Sequence, residues 1–280
     1  MRETVETPRR TRVGEMEIGE GLPLALVAGP CVIESEGMCL DVAREVKAIA
    51  ERLGMPFIFK ASCDKANRSS GDSFRGPGFD EGLRILATVR DEVGVPVTSD
   101  VHETSQVAAA ADVLDVIQIP AFLCRQTDLL VAAAASGKAV NVKKGQFLAP
   151  WDMTHVARKL RDAGCEEILL TERGASFGYN RLVADMTSIP IMQSTGCVVL
   201  FDATHSVQQP GGEGARSGGD RTMVPTLARA AVAAGADGVF LEVHPDPANA
   251  KSDAATQLAL DNLEGLLEIL VRLRVVLLNA

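Results

Sequence analysis

Eight short apolar runs punctuate the chain, and between them lie longer stretches whose apolar positions recur every three or four residues. The runs are Leu24–Val27, Phe57–Phe59, Val95–Thr98, Val113–Ile119, Ala139–Val142, Glu167–Leu170, Val198–Phe201 and Gly238–Leu241. Short β-rich runs of this kind predict strands, and the longer periodic stretches predict helices. Helices are expected over Glu36–Leu53, Trp151–Ala163, Thr222–Ala234 and Gln257–Leu278, among others. Strand and helix alternate eight times, which predicts an α/β fold: right-handed crossovers closing into a single (β/α)8 TIM barrel. Residues 1–23 fall outside the alternation as a short N-terminal extension, and residues 24–280 make one barrel domain. No linker rich in Pro, Gly or Ser divides it.

Composition narrows the choice further. Hydrophobic residues make up 46% of the chain and aromatic ones only 4%, which suits the small branched side chains of a parallel-sheet interior rather than a β-sandwich. A formal net charge of -9 without a basic tail argues against nucleic acid as a partner. With no apolar stretch of about 20 residues and no signal-type leader, no membrane partner and a cytoplasmic location are expected. Six cysteines without paired spacings (Cys31, Cys39, Cys63, Cys124, Cys165, Cys197) predict free thiols.

Three connections are much longer than the roughly two to six residues usual in such folds: Ala61–Gly78, His205–Arg221 and His244–Thr256. All follow strands, so all open on the barrel face where active sites are built. Each strand also ends in a polar candidate. In order these are Cys31, then Lys60 with Lys65, Asn67 and Arg68, then Asp100 and His102, and finally Gln118, Lys143, Arg173, His205 and Glu242. Lys60, Lys65, Arg68, Lys143 and Arg173 would converge on one partly desolvated mouth, where unpaired charge is costly. Neighbouring acidic residues could offset them as a structural network; a multiply anionic ligand, phosphate above all, is the preferred alternative.

Cys31, His205, Glu242 and Asp253 come from the first, seventh and eighth loops, which adjoin in a closed barrel. A thiolate, an imidazole and two carboxylates suit a divalent transition metal without selecting one, although a lone Cys after a strand is also a common packing residue. His102, His155 and His244 are weaker candidates, with His155 expected to be exposed on a helix. The loop Gly211–Gly219 carries five glycines in nine residues and reads either as a lid or as a disordered spacer.

Seven segments in order then resemble the 3-deoxy-D-manno-octulosonate 8-phosphate synthases, from about Leu26 to Leu270. They are Ala28-Gly-Pro-Cys-Val-Ile-Glu-Ser35, Lys60-Ala-Ser-Cys-Asp-Lys-Ala-Asn-Arg-Ser-Ser70, Gln118-Ile-Pro-Ala-Phe-Leu-Cys-Arg-Gln-Thr-Asp128, Asn141-Val-Lys-Lys-Gly-Gln-Phe-Leu-Ala-Pro-Trp151, Leu170-Thr-Glu-Arg-Gly174, Phe201-Asp-Ala-Thr-His-Ser-Val-Gln208 and Ser252-Asp-Ala-Ala-Thr-Gln257. The resemblance implies condensation of phosphoenolpyruvate with arabinose 5-phosphate in lipopolysaccharide synthesis. It assigns Lys60, Ser62, Lys65, Lys143 and Arg173, with the backbone near Ala121, to phosphoenolpyruvate. Asn67, Arg68 and Ser69 go to the sugar phosphate, and Gln118 joins the substrate-binding set. Cys31 marks the metal-dependent branch, with His205, Glu242 and Asp253 as the other ligands of one Fe, Zn, Mn or Co ion per subunit. His205, Asp100 and Glu242 are the catalytic candidates, and a homotetramer is implied in which Arg125 reaches a neighbouring site.

Lys65-Ala-Asn-Arg-Ser-Ser70 separates the chain from the related 3-deoxy-D-arabino-heptulosonate 7-phosphate synthases, which carry Lys-Pro-Arg-Thr there. A non-catalytic sugar-phosphate-binding barrel is the remote alternative. Cys63 departs from the family, whose members usually carry an aromatic residue between the two lysines, and that departure bears on packing beneath the pocket.

Overall fold

The computed structural model describes residues 8–67, 73–211 and 218–279. Eight parallel strands form the expected barrel: β1 Ala25–Gly29, β2 Phe57–Lys60, β3 Val97–Asp100, β4 Val116–Ile119, β5 Ala139–Lys143, β6 Ile168–Glu172, β7 Val198–Asp202 and β8 Gly238–His244. Each pairs with the next. The ring closes through Leu200↔Gly238 between β7 and β8 and Gly238↔Ala25 between β8 and β1, so each of the eight barrel strands is paired on both sides.

The crossover helices are α1 Glu36–Leu53, α2 Phe79–Val89, α3 Val107–Val113, α4 Thr127–Ala135, α5 Met153–Asp162, α6 Ser188–Gln193, α7 Val224–Ala233 and α8 Leu263–Leu278. The first shows why these segments start and stop where they do. Ser35 accepts a hydrogen bond from the Met38 amide at its N-terminus, and Gly54 closes the other end in the left-handed conformation at φ 64. No helix among the described residues is long and apolar enough to cross a membrane.

Successive strand residues face opposite ways, and both faces are buried. Leu26, Ala28, Phe57 and Phe59 pack outward against the helices, whereas Ala25, Val27, Ile58, Leu169, Val198 and Leu200 fill the barrel interior. Higher up, the interior becomes polar. Thr171 donates to Asn141 (2.7 Å), Asn141 to Gln118 (3.1 Å) and Gln118 to Asp100 (2.7 Å), a side-chain ladder running from β6 across β5 and β4 to β3.

Several expected boundaries shift. The run Val113–Ile119 divides, because Val113 ends α3 and Asp115 caps the β3 edge by accepting from the Val97 amide at 2.8 Å before β4 begins. The closing helix starts at Leu263, not Gln257; Leu258–Ala259 instead extends the sheet beside Val243 and His244. The N-terminal extension, for which no role is predicted, contains a hairpin, Arg10–Val13 with Met16–Gly19. Its Val13 and Ile18 join the interior cluster of the barrel, and Thr11 donates to the Ile168 carbonyl at 3.1 Å, so the hairpin stoppers the end where the strands begin.

Candidate active site

At the opposite end the strand termini and their loops enclose a cavity of about 930 Å³. One side is built from loops one, seven and eight. Gly29 is held at φ 154, where a Cβ would collide with the Lys60 carbonyl, so only glycine lets the first loop run this close to β2. That approach places the Cys31 carbonyl 2.9 Å from the Lys60 ammonium, whose second partner is Glu242 Oε1 at 2.6 Å. Gln257 clamps the arrangement from below, accepting from the Cys31 amide (3.2 Å) and donating to the Ser252 carbonyl (2.7 Å).

Within this clamp the ligand atoms of Cys31, Glu242 and Asp253 lie within 4.8 Å of one another. His205 Nε2 stands 3.6 Å from Glu242 Oε2 and 3.6 Å from Asp253 Oδ2, so the fourth expected ligand faces the same space. Asp253 is a non-glycine residue at φ 45, a strained backbone of the kind that gathers at functional sites.

The donor set fits a divalent cation through one unsatisfied oxygen and through its chemistry. Glu242 Oε2 is buried and has no hydrogen-bond partner among the described residues, although Oε1 is fully engaged. Burial, reinforced by the Glu242 carboxylate, also pushes the Cys31 thiol well above its ordinary pKa, so a thiolate there requires a cation. Thiolate, imidazole and two carboxylates are ligands of intermediate softness, appropriate to first-row transition metals.

The other side gathers cations. Lys143 lies with its ammonium 3.3 Å from the centroid of the buried Phe240 ring and pairs with Asp202. Burial, opposed by Asp202, lowers its pKa to about 8. Lys65 Nζ is 3.8 Å from Glu242 Oε1; burial works against its charge, but the Cys31 sulfur where it is a thiolate, and the Glu242 and Asp100 carboxylates throughout, override it and hold it protonated. Arg173 donates to Gln208 at 2.9 Å through Nη2, while its Nη1 is buried without a partner among the described residues. Burial alone would raise the pKa of Asp100, yet Lys65 and Lys60 bring it down to about 2, so it is ionised; Ser62 (3.2 Å) and Gln118 (2.7 Å) hold its two oxygens.

Of the predicted substrate residues, Lys60, Lys65, Asn67, Gln118, Ala121, Lys143 and Arg173 line the cavity, and Ser62 supports it through Asp100. Arg68, Ser69 and most of the Gly211–Gly219 loop lie outside the described residues. Arg125 does not line this cavity; it is exposed on a separate groove with Asp152, His155 and Lys159. His102 proves more central than its sequence context suggests, lining the cavity 4.0 Å from Asp100. His155 is exposed as expected, and His244 faces Glu34 at 3.3 Å. The other five cysteines are buried, and Cys63 fits against Gly82 of α2 with Ser99 donating to its sulfur at 3.4 Å.

Four residues go beyond the predicted set. Asp202 grips His205 and Lys143, Thr204 reaches the Glu242 amide (3.1 Å), and Gln208 links Arg173 to Asp253 (3.1 Å). Lys144, buried beside Glu172 at 3.5 Å, ties the carbonyls of Gly145, Leu148 and Gly174 and so fixes the fifth loop. All four fall in segments that carry the family resemblance, but only Asp202 also has a local signal, standing three residues before His205 as the N-cap of a one-turn helix, Ala203–Ser206.

A parallel β/α barrel whose one mouth gathers buried Lys and Arg side chains beside a candidate cation site is the arrangement of a barrel enzyme. The sequence profile of the DAHP synthetase I family matches residues 3–279, and the chain belongs to that family. Relatives narrow this further. A protein of Acidithiobacillus ferrooxidans named 2-dehydro-3-deoxyphosphooctonate aldolase is 62% identical over 259 residues, covering 92% of each chain. Proteins of the same name from Geobacter sp. (62% over 260 residues, 93% of this chain and 95% of the relative) and Desulfotalea psychrophila (56% over 274 residues, 97% and 98%) are similar along nearly their whole length.

Proposed function

We propose that this chain condenses phosphoenolpyruvate with D-arabinose 5-phosphate and water to give 3-deoxy-D-manno-octulosonate 8-phosphate and inorganic phosphate, in lipopolysaccharide biosynthesis. The observation that carries this is a pair of buried atoms with no hydrogen-bond partner among the described residues: Arg173 Nη1 at the cavity, and behind it Glu242 Oε2, which faces the His205 ring at 3.6 Å. The names of the relatives point to the same reaction.

In that reaction the enol carbon of phosphoenolpyruvate bonds to the sugar's aldehyde carbon and the aldehyde oxygen gains a proton. Water adds at the adjacent carbon, and the resulting tetrahedral centre expels phosphate. Bringing two anions together is the first difficulty, and Lys60, Lys65, Lys143 and Arg173 answer it as fixed cations for the carboxylate and phosphate, with the backbone at Ala121 beside them. Asn67, Arg68 and Ser69 take the sugar phosphate. Asp100, ionised and held by Ser62 and Gln118, and His205 are placed to hold or move protons. Cys31, His205, Glu242 and Asp253 would hold one Fe, Zn, Mn or Co ion. When bound, it supplies a Lewis acid toward the aldehyde or the water.

The same proposal makes the protein a cytoplasmic homotetramer in which Arg125 serves a neighbouring site. Phe147, 56% exposed on the loop after β5 and outside the cavity lining, supports contact there. Phosphate release from phosphoenolpyruvate tests the reaction. Release with arabinose 5-phosphate and little with erythrose 4-phosphate is expected; the reverse preference would make the chain a heptulosonate synthase, and release with neither would leave a binding barrel.

A further inference from the structure

Asp202 is completely buried at the end of β7, and both its oxygens are committed. Oδ1 accepts from the His205 amide (2.8 Å) and the Thr204 hydroxyl (3.0 Å). Oδ2 faces His205 Nδ1 at 2.7 Å and the Lys143 ammonium. His205 belongs to the metal side of the site and Lys143, two strands away on β5, to the anion side. The Thr204 hydroxyl in turn accepts from the Glu242 amide, so the same carboxylate also steadies β8 beneath a second expected ligand. One oxygen therefore sets the direction of two groups that the reaction would use separately.

We propose that Asp202 is a positioning residue shared by both halves of the site. It keeps the proton of His205 on Nδ1, so that the Nε2 lone pair points at the space between Glu242 and Asp253, and it holds Lys143 against the Phe240 ring at the anion side. Carboxylates that orient a metal-binding imidazole are common, and losing one typically weakens metal binding roughly 10- to 100-fold. Here the same atom also anchors a substrate-facing ammonium, so metal retention and phosphoenolpyruvate binding should fail together. This rests on the metal-dependent reading proposed above.

Asp202→Asn is close to isosteric, but it carries no charge for Lys143, and since only one of its two ends can accept, it must give up either the His205 Nδ1 and Lys143 donors or those of the His205 amide and Thr204. Cobalt(II) titration, followed through the cysteine-to-cobalt charge-transfer band, reads metal binding without turnover. The variant should bind Co(II) roughly 10- to 100-fold more weakly. Loaded to saturation, it should show a raised KM for phosphoenolpyruvate and a nearly unchanged KM for arabinose 5-phosphate. Equal weakening for both substrates would indicate a general structural role and overturn the proposal, as would Co(II) and phosphoenolpyruvate binding equal to that of the unchanged chain. Absence of the band in the unchanged chain would instead overturn the metal reading, and the proposal with it. Should the variant not fold, nitrogen NMR of the unchanged, Zn(II)-loaded protein decides. With four histidines in the chain, the His205 signal can be assigned, and a proton on Nε2 rather than Nδ1 would refute the proposal.

Discussion

The two ends of the barrel treat a buried carboxylate in opposite ways, although Arg9 Nε at the hairpin end is also buried without a hydrogen-bond partner among the described residues. At the end where the strands begin, the Asp237 carboxylate accepts from Arg9 (3.3 Å), Gln193 (3.1 Å) and the Val199 amide (2.9 Å), and the hairpin lays Val13 and Ile18 over the interior. At the end where the strands finish, Glu242 and Arg173 each keep a buried atom without a partner among the described residues. A side chain that satisfies itself stabilises the fold, whereas one left short can be completed only by something that arrives. Stability and chemistry are thus assigned to opposite ends of the same eight strands.

Interventions at the two ends should have separable effects. The largest is metal removal: thorough chelation, verified by elemental analysis, should abolish phosphate release and leave the thermal transition cooperative, with activity restored by a divalent transition metal. Full activity in metal-free protein would sink the metal assignment. Next, Arg173→Ala removes the cation with the unpartnered nitrogen and should lower kcat/KM for phosphoenolpyruvate roughly 10²- to 10³-fold. Steady-state kinetics would show whether the sugar phosphate is spared.

At the other end, Ile18→Ala should destabilise by about 2–5 kcal/mol in urea unfolding, because it opens a cavity under the hairpin. Its KM values should match those of the unchanged enzyme; a shift in them would mean that the two ends communicate. The smallest effect concerns acid. Asp100 titrates near 2 in the folded protein against 3.8 for an ordinary aspartate, despite burial, because of Lys65 and Lys60. Its contribution is therefore present above about pH 4 and is lost as pH falls through 2, on the order of 2 kcal/mol. Asp100→Asn should flatten that part of a stability-against-pH curve, and an unchanged curve would show that Asp100 is not so held.

The same contrast explains what the sequence discloses. Barrel strands are legible because both faces are buried, which makes each a short apolar run, and the strand-end rule then locates Lys60, Lys143 and Glu242 without any contact being known. The hairpin escapes notice because four-residue strands, half exposed, carry too little pattern, and its partners Ile168 and Asp237 are more than 150 positions away. Gln208 and Gln257 are silent for a similar reason. An amide that bridges two loops looks like any polar loop residue until both loops are placed. Lys144 misleads in the opposite direction: adjacent to Lys143 in sequence, it turns to backbone carbonyls and away from the cavity.

The hairpin also imposes an order on events in time. Residues 10–19 leave the ribosome early, yet Gly19 is held by Arg274 (2.9 Å), Leu22 by the same guanidinium (3.0 Å), and Arg9 by Asp237. The stopper can seat fully only once Arg274 has been made, so the growing chain must carry Val13 and Ile18 without that seat until the eight strands have followed. A segment made before every barrel strand settles after them, and its docking reports that the barrel above it has closed.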